Sequence, residues 1–579
     1  MGAVSGNINY AASSIRRLFR MLSADKREIY YIYVYAILGG IISLILPLGV
    51  QAIIGIISSQ QVSTSWGILV FLILAGIVFS GVLKILQQNI IETLRQKIFA
   101  RAAFEFIYRI PRFKMDLLHK YYPPELINRF FDVMNIQKGI EKLLIEFTTS
   151  SVQIFFSLLV LAFYHPLFLL FGVVLVGILY LIFRFSFLGG LKAGMEASHY
   201  KYETAAWIEE VARTMGTFKL SGRDALAMEE MNHHVSRYID ARKRFYQVMK
   251  TFFRSEIAFK AIIVACLLIL GSLLVIDKQI NIGQFVAAEL IVLSLAGAVE
   301  KAIYSMDTVY DTLVALEKIG YVTDIPVEEP GGITLQKESS SKGLEVQVYQ
   351  VSYQFPGRTG FAIRDISFDV KAGENVAITG LNGSGKSTLI DLICGFYGNY
   401  EGDISINRIP LRNIDAPSLR MLIGDNLSQQ DVFRATLLQN LTMNKEGIGM
   451  DKVIELCDRF HLTAFIQSLP EGFETIMDPE GRKFPRNILS KIILVRSLLK
   501  EPGLVLLDDF ITTLEREEKS EIAAWLFSPD KPWSVIVSTN DELLLKHCDK
   551  IVWIEDGAVR KTMTWQEASS DQAFKTIYS

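Results

Sequence analysis

The sequence predicts a multidomain protein in which an all-α bundle of six membrane-spanning helices is followed by an α/β domain. Half of the 579 residues are hydrophobic and the mean hydropathy is +0.30, which is too apolar for an ordinary soluble protein of this length. Residues 29–83 and 147–183 contain no Asp, Glu, Lys or Arg. From Leu344 onward, short Val/Ile/Leu runs alternate with charged helical stretches, which is typical of a soluble α/β domain.

Each long uncharged stretch has the length of two helices, because a bilayer core of ~30 Å takes about 20 apolar residues per helix. Polar breaks at 58–65 and 164–166 divide the two stretches, and a third pair of apolar segments is joined by residues 277–281. The predicted spans are Tyr30–Ile57, Trp66–Leu86, Phe147–Phe163, Leu167–Phe187, Ile257–Ile276 and Ile282–Ile303.

Proline, glycine and serine indicate a polar linker near residues 325–345. We therefore expect four segments along the chain: a cytoplasmic N-terminal segment at 1–28, a transmembrane domain at 29–325, a linker at 326–343 and the α/β domain at 344–579.

Basic residues predict the orientation, because Lys and Arg resist translocation. They are frequent before the first span and in the long loops 88–146 and 188–256, whereas the short connections carry only Lys278. The first apolar run is too long for a secretory signal. We expect a multi-pass protein of the cell (inner) membrane with both termini cytoplasmic.

Both long loops are charged and helical, which predicts membrane helices that extend into the cytoplasm. Within the loops, Pro123–Arg129 and Thr214–Gly222 interrupt the helical pattern. We expect these two breaks to form short transverse helices that touch the cytoplasmic domain, although an ordinary loop is the simpler interpretation.

Ionisable residues in the spans are costly and often functional. Lys84, Arg184 and Lys260 fall near the cytoplasmic ends of their helices and are expected to snorkel. Glu289 lies about 12 Å into the sixth span. It is expected to face the bundle interior or a wet cavity, where it either bonds to another helix or touches cargo or a coupling ion.

Other classes of function find little support. The net charge of −2 gives no field that would attract nucleic acid. The four cysteines form no CxxC pair and no zinc-like cluster, so we expect neither a disulfide framework nor a structural metal. None of them precedes Cys266.

A phosphate-binding loop follows the buried-strand pattern Val376–Gly380. The residues Leu381-Asn-Gly-Ser-Gly-Lys-Ser-Thr388 match GxxxxGK[ST] and lead into an apolar helical stretch. Its glycines let backbone N–H groups approach phosphate oxygens at a helix N-terminus. Lys386 is expected to bridge the β- and γ-phosphates of ATP, and Ser387 to ligate Mg²⁺. The predicted nucleotide-binding residues are Gly380, Asn382, Gly383, Ser384, Gly385, Lys386, Ser387 and Thr388.

A second strand pattern, Leu504–Leu507, ends in the acidic pair Asp508 and Asp509. An acidic residue at this end of a strand beside the phosphate loop is expected to hold the Mg²⁺ shell, and Asp508 occupies that position. The second domain is therefore predicted to be an α/β P-loop nucleotide-binding domain with ATP and Mg²⁺ as cofactors.

With these motifs, nearly the whole chain resembles an ABC transporter half of the exporter type. In that family a membrane domain and an ATPase are fused, and two halves associate. Val351–Pro356 resembles the segment whose aromatic residue, here Phe355, stacks on adenine. Glu401–Asn407 and Ser418–Gly424 resemble the stretch that leads to the family glutamine. The resemblance implies that Gln429 contacts Mg²⁺ and senses the membrane domain, with Gln430 as the alternative.

The chain departs from the family at its signature motif LSGGQ, which Phe484–Ile488 replaces. In the family this segment closes over the γ-phosphate that the other half holds. Pro485 offers neither a hydroxyl nor an N–H group. Arg486 could supply positive charge instead.

Two further departures concern catalysis. Asp509 stands at the position of the catalytic glutamate and is one methylene shorter, so we expect slower hydrolysis. Asn540 replaces the switch histidine; it can bond to the γ-phosphate but cannot titrate. The resemblance thus assigns Asp509, Gln429 and Asn540 to catalysis, and Ser387, Gln429 and Asp508 to the metal.

The resulting hypothesis is ATP-driven export by alternating access, performed by a dimer of half-transporters with slow or partner-dependent hydrolysis. The dimer is either a homodimer or a heterodimer with unequal sites. The alternative is a nucleotide-gated channel or regulatory protein with little turnover. The resemblance allows a peptide, protein, lipid or hydrophobic cargo. Bacterial peptide and protein secretion exporters look most similar, which suggests a periplasmic adaptor as a further partner but, without an early cysteine, no N-terminal cysteine-protease domain.

Overall fold

The computed structural model describes residues 13–58, 64–118, 123–222, 225–329, 331–336, 342–426, 432–478, 483–508 and 514–574. The chain forms two compact units. The first comprises Met1–Pro111 and Tyr121–Ile325, and the second comprises Arg112–Lys120 and Pro326–Ser579.

The first unit is helical. Its helices are α1 (Lys26–Ile42), α2 (Ile45–Ser58), α3 (Thr64–Arg109), α5 (Pro123–Asn128), α6 (Asp132–Glu141), α7 (Thr148–Tyr164), α8 (Pro166–Arg213), α9 (Met215–Ser221), α10 (Ala225–Ile276), α11 (Ile282–Tyr304) and α12 (Met306–Thr323). The short helix α4 (Met115–Leu118) belongs to the second unit.

Among the described residues, six helical segments are long and apolar enough to cross a membrane, as the sequence predicted. They are Ser13–Ser58, Thr64–Arg112, Leu126–Tyr164, Pro166–Arg213, Ala225–Ile276 and Ile282–Thr323. In the first five, only 11% to 28% of the most apolar window is buried inside the protein, compared with 50% in the sixth. The sixth segment is therefore the one most enclosed by other helices.

Local caps explain why the helices break where they do. His165 is extended at the N-cap of α8, its side chain accepts a hydrogen bond from Leu167 N at 3.2 Å, and Pro166 follows at a position where its missing N–H costs nothing. At the start of α11, Asn281 and Gln284 form a reciprocal capping box.

Three helices are far longer than a bilayer requires. The helices α3, α8 and α10 contain 46, 48 and 52 residues, or about 70–78 Å at 1.5 Å per residue. This is more than twice the ~30 Å of a hydrocarbon core. The prediction that membrane helices continue beyond the bilayer is therefore confirmed.

Both predicted breaks contain a short helix, and a neighbouring segment of the first loop joins the second unit. The part of the first loop that joins the second unit is 112–120, about ten residues before the predicted Pro123–Arg129. The latter forms α5 and a following 3-10 turn in the first unit, where Leu126 is buried. The two prolines favour a helix start but do not determine what that helix packs against. In the second loop, α9 is a short helix as predicted, and Leu220 on it is 91% exposed.

The charged residues of the spans differ in their exposure and in their bonding partners. Lys84 and Arg184 are exposed. Lys260 does not simply snorkel, because its Nζ lies 2.9 Å from a carboxylate oxygen of Glu300 on α11. Glu289 is half-buried and has no hydrogen-bond or ion-pair partner in the described part of the chain. The structure thus gives Glu289 no interhelical bond.

The second unit contains two sheets. Its strands are β1 (Val346–Tyr353), β2 (Ile363–Val370), β3 (Asn375–Thr379), β4 (Glu401–Ile406), β5 (Ile409–Pro410), β6 (Ile423–Asn426), β7 (Leu504–Asp508), β8 (Ser534–Ser538), β9 (Lys550–Glu555) and β10 (Ala558–Met563). Its helices after α4 are α13 (Lys386–Ile393), α14 (Ala416–Leu422), α15 (Leu437–Thr442), α16 (Met450–Arg459), α17 (Thr463–Ser468), α18 (Arg486–Leu499), α19 (Arg516–Leu526), α20 (Glu542–Leu545) and α21 (Trp565–Ser570).

The six-stranded sheet has the order β10-β9-β3-β8-β7-β6, and its strands from β9 to β6 run parallel. The other sheet is antiparallel, with the order β2-β1-β4-β5. Alternate residues of β7 face opposite cores: Leu504 and Leu506 pack with α13, and Val505 and Leu507 pack with α18 and α19. Because β3 and β7 are both neighbours of β8, their carboxyl ends lie at the same edge of the sheet, where ligands of such folds bind.

Candidate functional site

The loop between β3 and α13 adopts the backbone conformation that its glycines predict. Gly380, Gly383 and Gly385 have φ values of 151°, 85° and 101°. A Cβ atom at Gly380 would lie 2.1 Å from the carbonyl oxygen of Ile554, and one at Gly385 would lie 2.6 Å from that of Ala362. Only glycine fits these two positions, so the loop depends on both of them.

Lys386 folds back over this loop. Its Nζ donates hydrogen bonds to the carbonyl oxygens of Gly380 at 2.8 Å and Leu381 at 3.1 Å, and the residue is only 8% exposed. A buried ammonium group is tolerated because carbonyl dipoles solvate it. The Lys386 ammonium group therefore lies inside the loop that is predicted to bind phosphate oxygens.

The other loop residues fit a bound nucleotide. Ser384 Oγ is buried and has no hydrogen-bond partner among the residues that the structure describes, so it can donate to a phosphate oxygen. Asn382 and Ser387 are exposed, and Thr388 is half-buried at the first turn of α13. A hydroxyl, backbone N–H groups and one cation therefore converge at a helix N-terminus, as a triphosphate requires.

Oxygen ligands of the kind that Mg²⁺ prefers lie at the same sheet edge. Asp508 is half-buried at the end of β7, and Ser387 lies in the first turn of α13, the helix after β3. These two donors fit a magnesium site that phosphate oxygens complete. Gln429, the third predicted ligand, and its alternative Gln430 lie outside the described residues, as does Asp509.

Asp391 is a member of this site that sequence reasoning missed. It lies one turn after Ser387 on α13, and burial, followed by the negative charge of Asp508, raises its pKa to about 6. The signal was available as an acidic residue four positions after the predicted magnesium ligand, on the same helix face.

Asn540 lies where the carboxyl end of β8 meets the phosphate loop. Its Oδ1 accepts hydrogen bonds from Thr379 Oγ1 at 2.8 Å and from Gly380 N at 3.2 Å, and its Nδ2 donates to the carbonyl oxygen of Gly380 at 3.0 Å. The residue is thus next to the predicted phosphate position. Both polar atoms of its side chain hold the base of the loop.

Phe355 belongs to an aromatic cluster on the antiparallel sheet. Its ring makes edge contacts with Tyr353 and Tyr397, with ring centroids 5.0 Å and 5.7 Å away, and is half-buried. Tyr353 and Tyr397 stack on each other at 5.2 Å. Adenine stacking on Phe355 stays a prediction.

The segment 112–118 contacts this aromatic cluster within the second unit. Asp116 Oδ1 accepts a hydrogen bond from the Tyr353 hydroxyl at 3.3 Å, and Asp116 Oδ2 accepts one from Gly398 N at 3.0 Å. Backbone bonds from Lys114 N to the carbonyl of Pro326 and from Glu328 N to that of Arg112 add to the attachment. The sequence does not predict this contact, because Asp116 belongs to no recognisable motif.

The segment that replaces LSGGQ packs against the protein at Phe484 and is exposed at Arg486. Phe484 is half-buried and packs edge-on against Phe465, with ring centroids 5.7 Å apart. Pro485 is the N-cap of α18 and makes no side-chain cap hydrogen bond. Arg486 begins the helix with an exposed side chain. Arg486 therefore presents a polar side chain to solvent at this helix N-terminus.

Two relatives share parts of this organisation. The putative multidrug export ATP-binding/permease protein YgaD of Bacillus subtilis (strain 168) is 27% identical over 307 residues, which are 53% of this chain and 52% of the relative. The transport/processing ATP-binding protein ComA of Streptococcus pneumoniae serotype 4 (strain ATCC BAA-334 / TIGR4) is 23% identical over 522 residues, 88% of this chain and 71% of ComA. The chain thus spans about half the length of the first relative.

A solved structure of a bacterial Atm1-family ABC exporter with ATP bound superposes with a TM-score of 0.82, covering 96% of this chain and 98% of that one. The sequences are 16% identical, so this similarity concerns the fold. The family of ABC transporter transmembrane regions matches residues 29–299, and the ABC transporter family matches residues 363–512, which together make up well over half of the chain. The chain belongs to the ABC transporter family and is a fused half-transporter of the exporter type.

Proposed function

We propose that this chain is one half of an ATP-driven exporter that works as a dimer and moves its cargo by alternating access. One observation carries the proposal: the phosphate loop with Lys386 belongs to the same compact unit as segment 112–118, which follows the long helix α3 directly in the chain. A displacement of the ATP-binding domain would therefore pull on a chain segment that continues into a membrane-spanning helix.

In this proposal, backbone N–H groups of residues 382–388 and the Lys386 ammonium group hold the phosphates, and Phe355 stacks on the base. Ser387 and Asp508 hold Mg²⁺ together with Gln429, and bound Mg²⁺ neutralises negative charge on the phosphates. Asp509 orients the attacking water, and Asn540 lies beside the γ-phosphate position.

Slow or partner-dependent hydrolysis follows from three residues. Asp509 carries a shorter side chain than the glutamate that the family uses, and Pro485 has no N–H or hydroxyl group. Asn540 already uses both polar atoms of its side chain on Thr379 and Gly380. A partner half with an intact signature segment would complete one efficient site, whereas two copies of this chain would form two slow ones.

We assign residues 29–325 to the membrane domain, 326–343 to the linker and 344–579 to the ATP-binding domain, with both termini in the cytoplasm. The relatives are named for multidrug export and for transport and processing. A hydrophobic molecule or a peptide is therefore the proposed cargo.

Transport by inside-out membrane vesicles tests the proposal. A dansyl-labelled alkylamine and a dansyl-labelled peptide serve as probes, and uptake is measured together with ATP hydrolysis for the wild type and for Lys386→Ala. We expect ATP-dependent uptake that the substitution abolishes. ATP binding without vectorial uptake of either probe would instead support a nucleotide-gated or regulatory protein, which the engaged side chain of Asn540 favours.

A further inference from the structure

The described part of the membrane unit contains an open, groove-like cavity of about 520 Å³ that runs along α10 beside Glu300 of α11. Three ionisable side chains, Glu256, Lys260 and Glu300, line one end of it. Its remaining wall is apolar and includes Val264, Ala265 and Leu268. Both polar and apolar groups thus face one space within a candidate membrane-spanning segment.

Glu256 is left without a partner at this cavity. The residue is only 4% exposed, and its carboxylate forms no hydrogen bond or ion pair with any side chain or backbone group that the structure describes. The neighbouring charges of Lys260 and Glu300 already neutralise each other at 2.9 Å. Burying an unpaired carboxylate costs free energy. One additional positive group in the cavity would therefore be stabilised by pairing with Glu256.

The spacing along α10 makes the cavity amphipathic. Residues 256, 260, 264 and 268 recur at every fourth position and therefore follow one face of the helix over about 18 Å. The ionisable groups of α10 lie at the end of the span that we place on the cytoplasmic side. The deeper part of the face is apolar, and the small side chain of Ala265 leaves room there.

A second cavity of about 350 Å³ shares Glu300 with the first and has a different charge balance. Glu146 there pairs with Lys142 and accepts a hydrogen bond from Ser305. Lys301 also lines this space and adds a positive charge. A ligand cation is therefore favoured at the Glu256 end and disfavoured at the Lys301 end.

We propose that the cavity beside Glu256 binds the cargo and that the cargo is an apolar molecule with an ammonium or guanidinium group, which pairs with the Glu256 carboxylate. This inference rests on the proposed export function and specifies its substrate class. Lipophilic amines and apolar peptides with one basic residue share the required chemistry.

Equilibrium binding to the full chain in lipid nanodiscs tests the inference without any need for transport. The probes are dansylcadaverine, its uncharged N-acetyl derivative, and a dansyl-labelled apolar peptide with a single arginine. Binding is measured by dansyl fluorescence without ATP, in the Lys386→Ala background, with empty nanodiscs subtracted. We expect dansylcadaverine, the peptide or both to bind at least about tenfold more tightly than the uncharged derivative, as a charge-assisted hydrogen bond provides.

Glu256→Gln should weaken binding of the cationic probes about tenfold and leave the uncharged derivative unaffected. Glu289→Gln is the matched control, since Glu289 is also a carboxylate of the spans with no partner among the described residues but does not line this cavity. If Glu256→Gln fails to fold, Ala265→Leu replaces it, and this variant should weaken all probes equally by filling the apolar end.

Three results would overturn the inference: equal binding of charged and uncharged probes to the parent protein, equal losses for both in Glu256→Gln, or the same loss in Glu289→Gln. Binding of the amine alone or of the peptide alone would each support it and would identify the source of the cation. Binding with the expected pattern but no ATP-dependent uptake by the wild type would refute the export function while leaving the binding site intact.

Discussion

Asn540 joins two strands of the ATP-binding domain to the phosphate loop through its side-chain amide. Its three hydrogen bonds join the Thr379 hydroxyl and the backbone N–H and C=O groups of Gly380 at the end of β3. We predict that Asn540→Ala lowers the free energy of unfolding of the nucleotide-free protein by about 1–2 kcal/mol. Thermal unfolding of the full chain measures this loss.

Asn540→Asp is the matched variant for this prediction. It keeps the acceptor that Thr379 and Gly380 N use but loses the N–H group that donates to the carbonyl oxygen of Gly380. It should be destabilised as well, since a carboxylate would face that carbonyl. Unchanged melting temperatures in both variants would show that Asn540 does not hold the loop.

Asp391 makes the stability of the nucleotide-free protein depend on pH. Burial and the nearby Asp508 raise its pKa to about 6, above the value of 3.8 for an unperturbed aspartate. Between these pH values the folded state keeps a proton that the unfolded state has lost, so this group destabilises the fold increasingly as pH rises from about 4 to about 6. Above pH 6 the penalty is constant.

We predict that Asp391→Asn removes this penalty. The stability gained by the variant over the wild type should be smallest near pH 4, increase up to about pH 6 and then stay constant. Thermal unfolding of both proteins over that pH range measures this difference. Asp403→Asn on β4 is a control, because Asp403 belongs to the antiparallel sheet and not to the sheet that ends in Asp508. A stability difference that does not vary with pH would contradict the assignment.

The sequence was informative about residues whose role is set by local backbone geometry. Gly380, Gly385 and Lys386 follow from a fixed motif, because any chain that wraps phosphate this closely needs the same residue types. The orientation of Asn540 could not be predicted, since its partners lie about 160 residues earlier in the chain and no motif records them. The same holds for Glu256, whose missing partner becomes evident only when α10 and α11 are packed.

At the scale of elements, Asp116 on helix α4 is the side chain that fastens segment 112–118 to the antiparallel sheet. Burial, and then the Asp116 charge, raise the pKa of Tyr353, so the tyrosine hydroxyl remains a donor. We predict that Asp116→Ala reduces cargo transport per ATP hydrolysed about tenfold, which corresponds to the loss of roughly 1.4 kcal/mol of attachment.

The ratio of probe uptake to ATP hydrolysis in proteoliposomes measures this coupling. Lys114→Ala is the matched control, because Lys114 lies on the same segment, its side chain is exposed and its recorded bond uses the backbone N–H. Equal ratios for both variants would contradict the assigned role of Asp116.

Helices α6 and α12 approach each other closely at Gly139. A Cβ atom there would lie 1.5 Å from Thr312 Oγ1, which itself donates a hydrogen bond to the carbonyl oxygen of Thr308. We predict that Gly139→Ala destabilises the protein by about 1–3 kcal/mol through overpacking, measured as a lower melting temperature in detergent. Gly177→Ala on α8, where nothing lies within 4 Å, should be neutral or slightly stabilising. A neutral Gly139→Ala would mean that the two helices pack less tightly.

Helix boundaries were more predictable than helix packing. The breaks at His165-Pro166 and Asn281 carry caps in the sequence itself, so the spans beginning at α8 and α11 could be placed from residue types. The attachment of 112–118 could not be predicted, because the contacts of Asp116 with Tyr353 and Gly398 are long-range.

Across the whole molecule, the residues predicted to bind ATP match the family pattern, whereas those predicted to hydrolyse it depart from that pattern. The phosphate loop of this chain is fully formed, with Lys386 bonded across it. In the segment that replaces the signature motif, Phe484 packs against Phe465, and Pro485 is the N-cap of α18 without a side-chain hydrogen bond. In the proposed dimer each site combines the loop of one half with the signature segment of the other. The hydrolysis rate of the purified chain therefore reports on which partner completes the site.

Restoring the signature segment tests this composite site. The graft consists of Phe484→Leu, Pro485→Ser, Arg486→Gly, Asn487→Gly and Ile488→Gln. If two copies of this chain associate, the graft provides a hydroxyl and free N–H groups at the start of α18 and should raise ATP hydrolysis at least about tenfold. Adding Lys386→Ala to the graft should remove the gain, and thermal unfolding checks that replacing the half-buried Phe484 leaves the domain folded. No gain from a folded graft would mean that the chain does not pair with itself and that a different half-transporter supplies the signature segment.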